Sequence, residues 1–249
     1  MENNLEEVEH LLLIDGSGFI FRAYHALPQL TKTDGTPTGA VAGYCNMLFK
    51  ILNEMEKFKA SHLAVVFDQK DKTFRSEIYP EYKANRPPPP EDLVPQFEFI
   101  REATKAFGIV SVEKKGFEAD DIIATLSKEA NDIGAQVTIF SSDKDLMQLV
   151  SEKTLMYDPI KNTYINIDKV KEKFGVSPNK VIEVQSLIGD SVDNIPGVPG
   201  IGVKTASQLI SIFNTVENLI ENNDQIDRQR IRDLILTNID NIRVSKSLV

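Results

Sequence analysis

The sequence has very little of several residue types that particular protein classes need. Among its 249 residues there are one cysteine, Cys45, three histidines and no tryptophan. One cysteine excludes an intrachain disulfide and any zinc site built from several cysteines. The three histidines lie far apart in sequence, so a histidine metal centre is not predicted either. The single cysteine is compatible with a reducing cytosol.

Long apolar runs are also missing, so no segment is predicted to span a membrane. The first ten residues contain four glutamates and no lysine or arginine. Such a start is unlike a signal peptide, and we expect residues 1–10 to form a flexible acidic tail. The remaining composition, 41% hydrophobic and 26% charged, predicts a folded globular protein.

The charge is negative overall but unevenly distributed. There are 37 acidic and 28 basic residues, so the formal net charge is −9, which argues at first against a nucleic-acid partner. Setting aside the four N-terminal glutamates and nine carboxylates discussed below leaves 24 acidic against 28 basic residues, a balance of +4. A mildly basic body around an acidic metal pocket is compatible with a phosphate backbone as partner, without requiring one.

Three short apolar runs each lead to an aspartate. Residues 10–14 precede Asp15, residues 62–67 precede Asp68, and residues 136–140 are followed shortly by Asp143. Their length and apolar content favour strands buried on both faces, and 108–112 is a fourth candidate. Between these runs lie segments whose apolar residues recur at helical spacing. We therefore predict an α/β fold with a mostly parallel central sheet wound with helices.

The pattern changes after about residue 150. Residues 155–157 and 164–167 predict a small strand pair around Asp158-Pro159, and from 177 onward only helices and tight turns are predicted. We therefore expect an α/β core over 11–176 and a helical region over 177–249. A basic excursion from the sheet, at about 69–95, contains the stiff run of four prolines after Arg86.

Five groups of carboxylates are predicted to meet at one edge of the sheet. In an open parallel sheet, ligands bind outside the carboxyl ends of the strands. Acidic residues follow the strands, open a helix in GFEADD and occur again in GDSVD. The complete set is Asp15, Asp68, Glu118, Asp120, Asp121, Asp143, Asp145, Asp190 and Asp193.

So many carboxylates could coexist only with divalent cations among them. Oxygen ligands without histidine or cysteine indicate Mg²⁺, or Mn²⁺ in its place, rather than zinc. Two such ions about 4 Å apart would suit phosphodiester hydrolysis. Each group also has a purely structural interpretation: an aspartate after a strand commonly caps the next helix, acids in a first turn favour the helix dipole, and GDSVD could be a turn.

A glycine-rich segment, NIPGVPGIGVKTA at 194–206, lies between two predicted helices. Its glycines Gly197, Gly200 and Gly202 permit tight turns and close backbone approach. Backbone N–H groups, the next helix start and Lys204 could bind phosphate. We interpret 191–210 as a helix–hairpin–helix that grips DNA without sequence preference; the alternative is an ordinary helix–helix turn.

The basic excursion could contact nucleic acid as well. Arg22, Arg75, Lys83 and Arg86 could meet phosphates, while Phe21 and Tyr82 could stack on bases. The alternative is a solvated loop whose charges serve solubility, with Phe21 in the core.

At this point the residues resemble a known family. The motifs resemble those of the 5′-nuclease domain at the N-terminus of bacterial DNA polymerase I, within the flap endonuclease family. The resemblance runs from about Leu11 through nearly the whole chain. The motifs are LLLIDGSGFIFRAYHALP, AVVFDQKDKTFRSEIYPEYKANRPPPPEDL, GFEADDIIATL, SSDKDLMQLV and GDSVDNIPGVPGIGVKTA.

The resemblance implies a PIN-like flap-nuclease fold and a metal-dependent 5′-nuclease that removes 5′ flaps and RNA primers near single-strand junctions. Lys83 and Arg86 would contact the scissile phosphate from the base of a helical arch, and Phe21 and Arg22 would line the substrate path. The hairpin would hold the downstream duplex, often with K⁺. The first-metal carboxylates would be Asp15, Asp68, Glu118, Asp120 and Asp121; those nearer the second metal would be Asp143, Asp145, Asp190 and Asp193.

The predicted reaction is two-metal hydrolysis that yields a 5′-phosphate and a 3′-hydroxyl, with Lys83, Arg86 and Asp121 as catalytic residues. Expected partners are DNA with a 5′ flap or nick and RNA primer–DNA hybrids, for a monomer of the bacterial cytoplasm and nucleoid. Relatives continue past the C-terminus, so we expect a truncated family domain whose polymerase domain is absent here. A non-catalytic DNA-binding module, or a toxin-like ribonuclease, are the alternatives.

Overall fold

The computed structural model describes residues 9–249, so most of the predicted tail at 1–10 lies outside the described residues. The chain divides into two compact units. We call the first, made of residues up to 71, 88–146 and 152–164, the sheet unit. The second, made of Lys72–Pro87, Met147–Ser151 and Ile165–Val249, is the helical unit.

The sheet has six strands in the spatial order β3-β2-β1-β4-β5-β6. Strand β1 pairs in parallel with β2 and β4, and the pairs β2–β3 and β4–β5 are parallel too. The central position of β1 explains why Leu12, Leu13 and Ile14 are all completely buried. The strands are β1 (His10–Asp15), β2 (His62–Val66), β3 (Val110–Val112), β4 (Gln136–Phe140), β5 (Thr154–Asp158) and β6 (Thr163–Ile165).

Helices pack on the sheet through apolar stripes. In the second helix, Tyr44, Leu48 and Ile51 recur at helical spacing and are all buried against the core. Phe67 and Phe140, near the ends of two strands, belong to the same core. The helices wholly within the sheet unit are α1 (Gly16–Ala26), α2 (Gly39–Glu54), α4 (Gln96–Ala106) and α5 (Ala119–Asp132), while α3 (Phe74–Ile78) belongs to the helical unit.

The helical unit continues with short helices and tight turns, as predicted from residue 177. Helix α7 packs against α8 and α11, and its residues Val184 and Leu187 are fully buried. These helices are α6 (Ile167–Phe174), α7 (Val181–Ile188), α8 (Val203–Phe213), α9 (Val216–Glu221), α10 (Gln229–Thr237) and α11 (Ile239–Leu248).

The structure confirms the predicted α/β fold followed by a helical region with a helix–hairpin–helix. The predicted strand pair at residues 155–157 and 164–167 corresponds to β5 and β6, which are neighbours in the sheet. The sequence did not predict that this pair belongs to the main sheet. Strand β5 pairs with β4 and extends the main sheet, and helix α6 begins at Ile167. Only every second residue of β5 is fully buried, so its sequence lacks the continuous apolar run that marks a central strand. No helix of residues 9–249 has the length and apolar character needed to cross a membrane.

Candidate active site and nucleic-acid interface

Three predicted aspartates lie at the carboxyl edge of the sheet. Asp15 ends β1, Asp68 follows the end of β2 by two residues, and Asp143 follows the end of β4 by three. Because β1 pairs in parallel with both neighbours, all three strands end at the same edge. The sheet topology therefore gathers side chains that are up to 128 positions apart in the sequence.

Asp15 is the most deeply buried of these acids, with 7% of its surface exposed. It caps α1, because its Oδ1 accepts a hydrogen bond of 2.9 Å from the Gly18 backbone N–H. Burial raises the pKa of Asp15 to about 6; the charges of Asp143 and Asp68 add to that rise, and hydrogen bonds from Gly18 and Ser141 oppose it. A nearby cation would favour the ionised form of this carboxyl.

Ser141 belongs to this site, and sequence analysis missed it. Its buried hydroxyl donates to Asp15 Oδ2 at 2.8 Å and accepts from the Asp143 backbone N–H at 3.0 Å. Asp143 in turn accepts from the Asp145 N–H at 2.9 Å. The only sequence signal was its place two residues before Asp143 in SSDKD.

The acidic start of α5 is tied to the end of β2. Asp68 Oδ1 accepts from the Ala119 backbone N–H at 2.8 Å. Glu118 and Asp121 form a reciprocal capping box, in which Asp121 Oδ2 accepts from the Glu118 N–H at 2.9 Å. The structural interpretation of these acids is thus correct, but capping also fixes them at the edge. Asp120 lies in the same first turn.

The donor set suits a hard divalent cation. Within residues 9–249, no three His, Cys, Asp or Glu side chains surround one point closely enough to hold a metal unaided. Mg²⁺ does not need such a cage, because it keeps several waters and binds through one or two carboxylates. Asp15 fits that mode of binding, because its buried carboxyl offers oxygen donors and lies near the charges of Asp68 and Asp143.

In the helical unit, Asp193 pairs with both residues predicted to contact the scissile phosphate. Its carboxylate accepts a hydrogen bond from Arg86 Nη2 and lies 3.7 Å from Lys83 Nζ. Its backbone carbonyl accepts from the Lys83 N–H at 2.9 Å, and Lys83 is held at φ +56°. Asp190 accepts from the Val192 N–H at 2.7 Å. The turn interpretation of GDSVD therefore holds in part.

Arg75 and Tyr82 differ from expectation, because both are buried. Arg75 Nε donates to the Leu248 carbonyl at 2.7 Å, and Tyr82 packs in a cluster with Ile195 and Leu248. Both side chains stabilise the helical unit, and the predicted contact with DNA would require them to leave this packing.

Phe21 and Arg22 lie on α1 in the sheet unit. Phe21 is 41% exposed, meets Phe97 edge-to-face at 6.5 Å and lines a cavity of about 410 Å³ that also contains Asp68. Arg22 borders a smaller cavity of about 70 Å³ with Lys50. Its Nη1 is buried and has no hydrogen-bond partner within the described chain.

The glycine hairpin joins α7 to α8 as predicted. Gly197 adopts φ +54° and Gly200 φ +89°. A Cβ on Gly197 would lie 2.4 Å from the Gly189 nitrogen, so only glycine fits there. Gly202 precedes α8, whose first turn presents Lys204 to solvent. The turn thus leaves a helix N-terminus and a lysine available to an anion.

Comparison with known proteins agrees with this architecture. Residues 10–175 match the family model described as the 5′-3′ exonuclease N-terminal resolvase-like domain. Residues 176–249 match the 5′-3′ exonuclease C-terminal SAM fold. The chain therefore belongs to the 5′-3′ exonuclease family, and it is a nuclease of that family.

Two relatives and one solved structure illustrate the likeness. The chain is 54% identical over 250 residues to DNA polymerase I of Rhizobium leguminosarum, covering 98% of this chain but 25% of that protein. It is 41% identical to a 5′-3′ exonuclease of Aquifex aeolicus, covering 88% and 75%. The bacteriophage T5 flap endonuclease, solved as a pseudo-enzyme–product complex with DNA and metal ions, superposes with a TM-score of 0.80 at 24% identity, covering 97% and 89%.

Proposed function

We propose that this nuclease is metal-dependent and structure-specific, and that it cleaves 5′ flaps, 5′ ends and RNA primers during primer removal and DNA repair. The observation that carries the proposal is the acidic edge of the sheet, where the charges of Asp68 and Asp143 help to raise the pKa of the buried Asp15 carboxyl. A relative of the same fold binds DNA and metal ions. This chain is similar to one quarter of the length of a DNA polymerase I. That similarity supports a role as the N-terminal part of such a polymerase, acting as a monomer in the cytoplasm.

The carboxylates at the edge would hold two Mg²⁺ ions, for which Mn²⁺ could substitute. When bound, the ions would supply an acidified water and neutralise charge on the phosphate. Asp15, Asp68 and the acids at the start of α5 would hold one ion, with Asp143 and Asp145 nearer the second. Asp190 and Asp193 remain predicted members of the second group.

Other residues would bind the substrate rather than the metal. Lys83 and Arg86 would stabilise negative charge that develops on the phosphate. Phe21 would stack on an unpaired base. Arg22 would bind a phosphate only if its buried Nη1 became accessible. The glycine hairpin and Lys204 would hold the duplex backbone, with K⁺ as a candidate ion at the turn.

A cleavage assay tests the proposal directly. A 5′-flap DNA labelled at its 3′ end would be incubated with Mg²⁺, with EDTA and with an Asp121→Asn variant, which keeps an oxygen for the Glu118 cap. We expect cleavage near the junction only with the unaltered chain and Mg²⁺. The matched control is Asp132→Ala, at the exposed far end of α5, where the acid pairs with Lys128.

The assay also separates the alternative of a non-catalytic DNA-binding module. That alternative predicts flap binding without cleavage in Mg²⁺ and in Mn²⁺. Undiminished cleavage by Asp121→Asn would contradict the assigned role of the α5 acids.

A further inference from the structure

The C-terminal end of α11 contacts the glycine hairpin through a buried hydroxyl. Ser245 is completely buried, and its Oγ accepts a hydrogen bond of 2.9 Å from the Gly197 backbone N–H. A buried N–H without a partner is strongly unfavourable. The hydroxyl therefore favours the hairpin position in which this bond is made.

The hairpin has little freedom to satisfy that N–H elsewhere. Gly197 packs so tightly on Gly189 that an added Cβ would meet its nitrogen at 2.4 Å. The next residue, Val198, already donates its N–H to the Leu187 carbonyl at 2.7 Å. The turn is thus held between α7 on one side and Ser245 on the other.

The same end of α11 also holds the basic segment, which we define as residues 72–87 of the helical unit. The Leu248 carbonyl accepts from Arg75 Nε at 2.7 Å, and Leu248 packs against Tyr82 and Ile195. Lys83 follows Tyr82 directly in this segment, and Arg86 lies three residues further on. One helix end therefore contacts both the hairpin and the segment that carries the phosphate-binding candidates.

Helix α11 is itself fixed by an ionic network beside Ser245. Lys246 Nζ donates to Glu183 at 2.9 Å and to Glu217 at 2.7 Å. Glu183, 9% exposed on α7, also accepts from the Val216 N–H at 2.9 Å. The network joins α7, α9 and α11 at the residue next to Ser245.

We infer that Ser245 is a positioning residue that holds the glycine hairpin in register with the basic segment for binding duplex DNA. It touches neither substrate nor metal and acts through the Gly197 N–H. The inference rests on the proposed function, since it assigns the hairpin a place in substrate binding.

The test compares Ser245→Ala with Ser247→Ala, an exposed serine of the same helix whose hydroxyl donates to the Arg243 carbonyl. For the flap DNA in Mg²⁺, we expect Ser245→Ala to raise KM about tenfold and leave kcat within about twofold, the signature of lost substrate binding. Ser247→Ala should leave both unchanged. A parallel measurement follows hydrogen exchange of the backbone amides of 189–202, where Ser245→Ala should expose the Gly197 amide to exchange.

The two measurements separate failure of the inference from failure of the proposed function. Unchanged exchange at Gly197 in Ser245→Ala would overturn the inference. Faster exchange with an unchanged KM would also overturn it, because the bond would then stabilise the fold without serving binding. If the unaltered chain cleaves no flap, the proposed function fails, while the exchange measurement still reports on the Ser245–Gly197 bond.

Discussion

At the scale of single residues, Asp15 is both a helix cap and a candidate metal ligand, which sequence analysis treated as alternatives. It caps α1 through Gly18 and lies among the acids of the sheet edge. Capping holds the side chain in place, and burial makes its ionised form costly. A helix cap and a candidate metal ligand are therefore the same carboxyl, since one oxygen atom can accept more than one contact.

The raised pKa of Asp15 predicts a pH-dependent stability without metal. Its pKa is about 6 in the folded state against an ordinary value of 3.8, so the folded state binds the proton more tightly. Stability should therefore fall as pH rises from about 4 to about 6 and stay lowered above that. At neutral pH, Asp15→Asn should stabilise the metal-free chain by on the order of 3 kcal/mol.

Urea unfolding in EDTA across this pH range would measure the effect. The difference in free energy of unfolding between Asp15→Asn and the unaltered chain should grow from about pH 4 to about pH 6. If the free energies of unfolding of the two proteins changed in parallel with pH, the pH dependence would not come from protonation of Asp15. Added Mg²⁺ should reduce the difference, because a cation favours the ionised carboxyl.

Two neighbouring serines provide a matched pair at the same edge. Ser141→Ala removes a buried hydroxyl that bonds both Asp15 and Asp143, so unfolding should become easier by about 1–3 kcal/mol. Ser142→Ala, at an exposed position, should change stability by less than about 0.5 kcal/mol. Thermal unfolding of the two variants would measure this contrast, and equal losses would contradict the role given to Ser141.

At the scale of elements, the glycines of the hairpin are not equivalent. Gly197 has φ +54° and no room for a Cβ, whereas Gly202 has φ −99° and nothing within 4 Å of an added Cβ. Gly197→Ala should therefore cost several kcal/mol, about 3 or more. Gly202→Ala should fold normally.

Denaturant unfolding would compare the two glycine variants. Nearly equal midpoints for Gly197→Ala and Gly202→Ala would mean that the turn can relax, and the tight contact with Gly189 would then not restrict the hairpin. The Gly202→Ala variant also serves the DNA-binding assay, because it is expected to keep the fold while altering the residue before α8.

At the scale of the whole molecule, a net charge of −9 coexists with local basic groups at the hairpin and the basic segment. Contacts to phosphates release counterions, so duplex binding should weaken steeply as salt rises. Lys204→Ala should weaken binding and reduce the slope of log affinity against log salt by about 1.

Fluorescence anisotropy with a labelled duplex, at several salt concentrations, would measure that slope. Lys128→Ala is the matched control, because Lys128 is an exposed lysine of α5 paired with Asp132. Equal slopes for Lys204→Ala and the unaltered chain would remove the hairpin lysine from the interface. Binding that does not respond to salt would argue against a phosphate grip altogether.

Much of the molecule could be predicted from local sequence. The apolar runs that became β1, β2 and β4 carry their burial in their own residue types, and the turn glycines carry their φ preference. The alternation of strands and helices was sufficient to predict a parallel sheet, and parallel strands necessarily bring their carboxyl ends, with Asp15 and Asp68, to one edge.

Tertiary structure decided what local patterns do not contain. Four such features join residues that are distant in sequence. They are the place of β5 beside β4, the burial of Arg75 and Tyr82, the pairing of Asp193 with Lys83 and Arg86, and the hydrogen bond from Gly197 to Ser245. A basic or aromatic side chain has the same appearance in a sequence whether it meets solvent or a neighbouring helix. Which of the two occurs depends on the packing energy of the folded chain, which no local pattern determines.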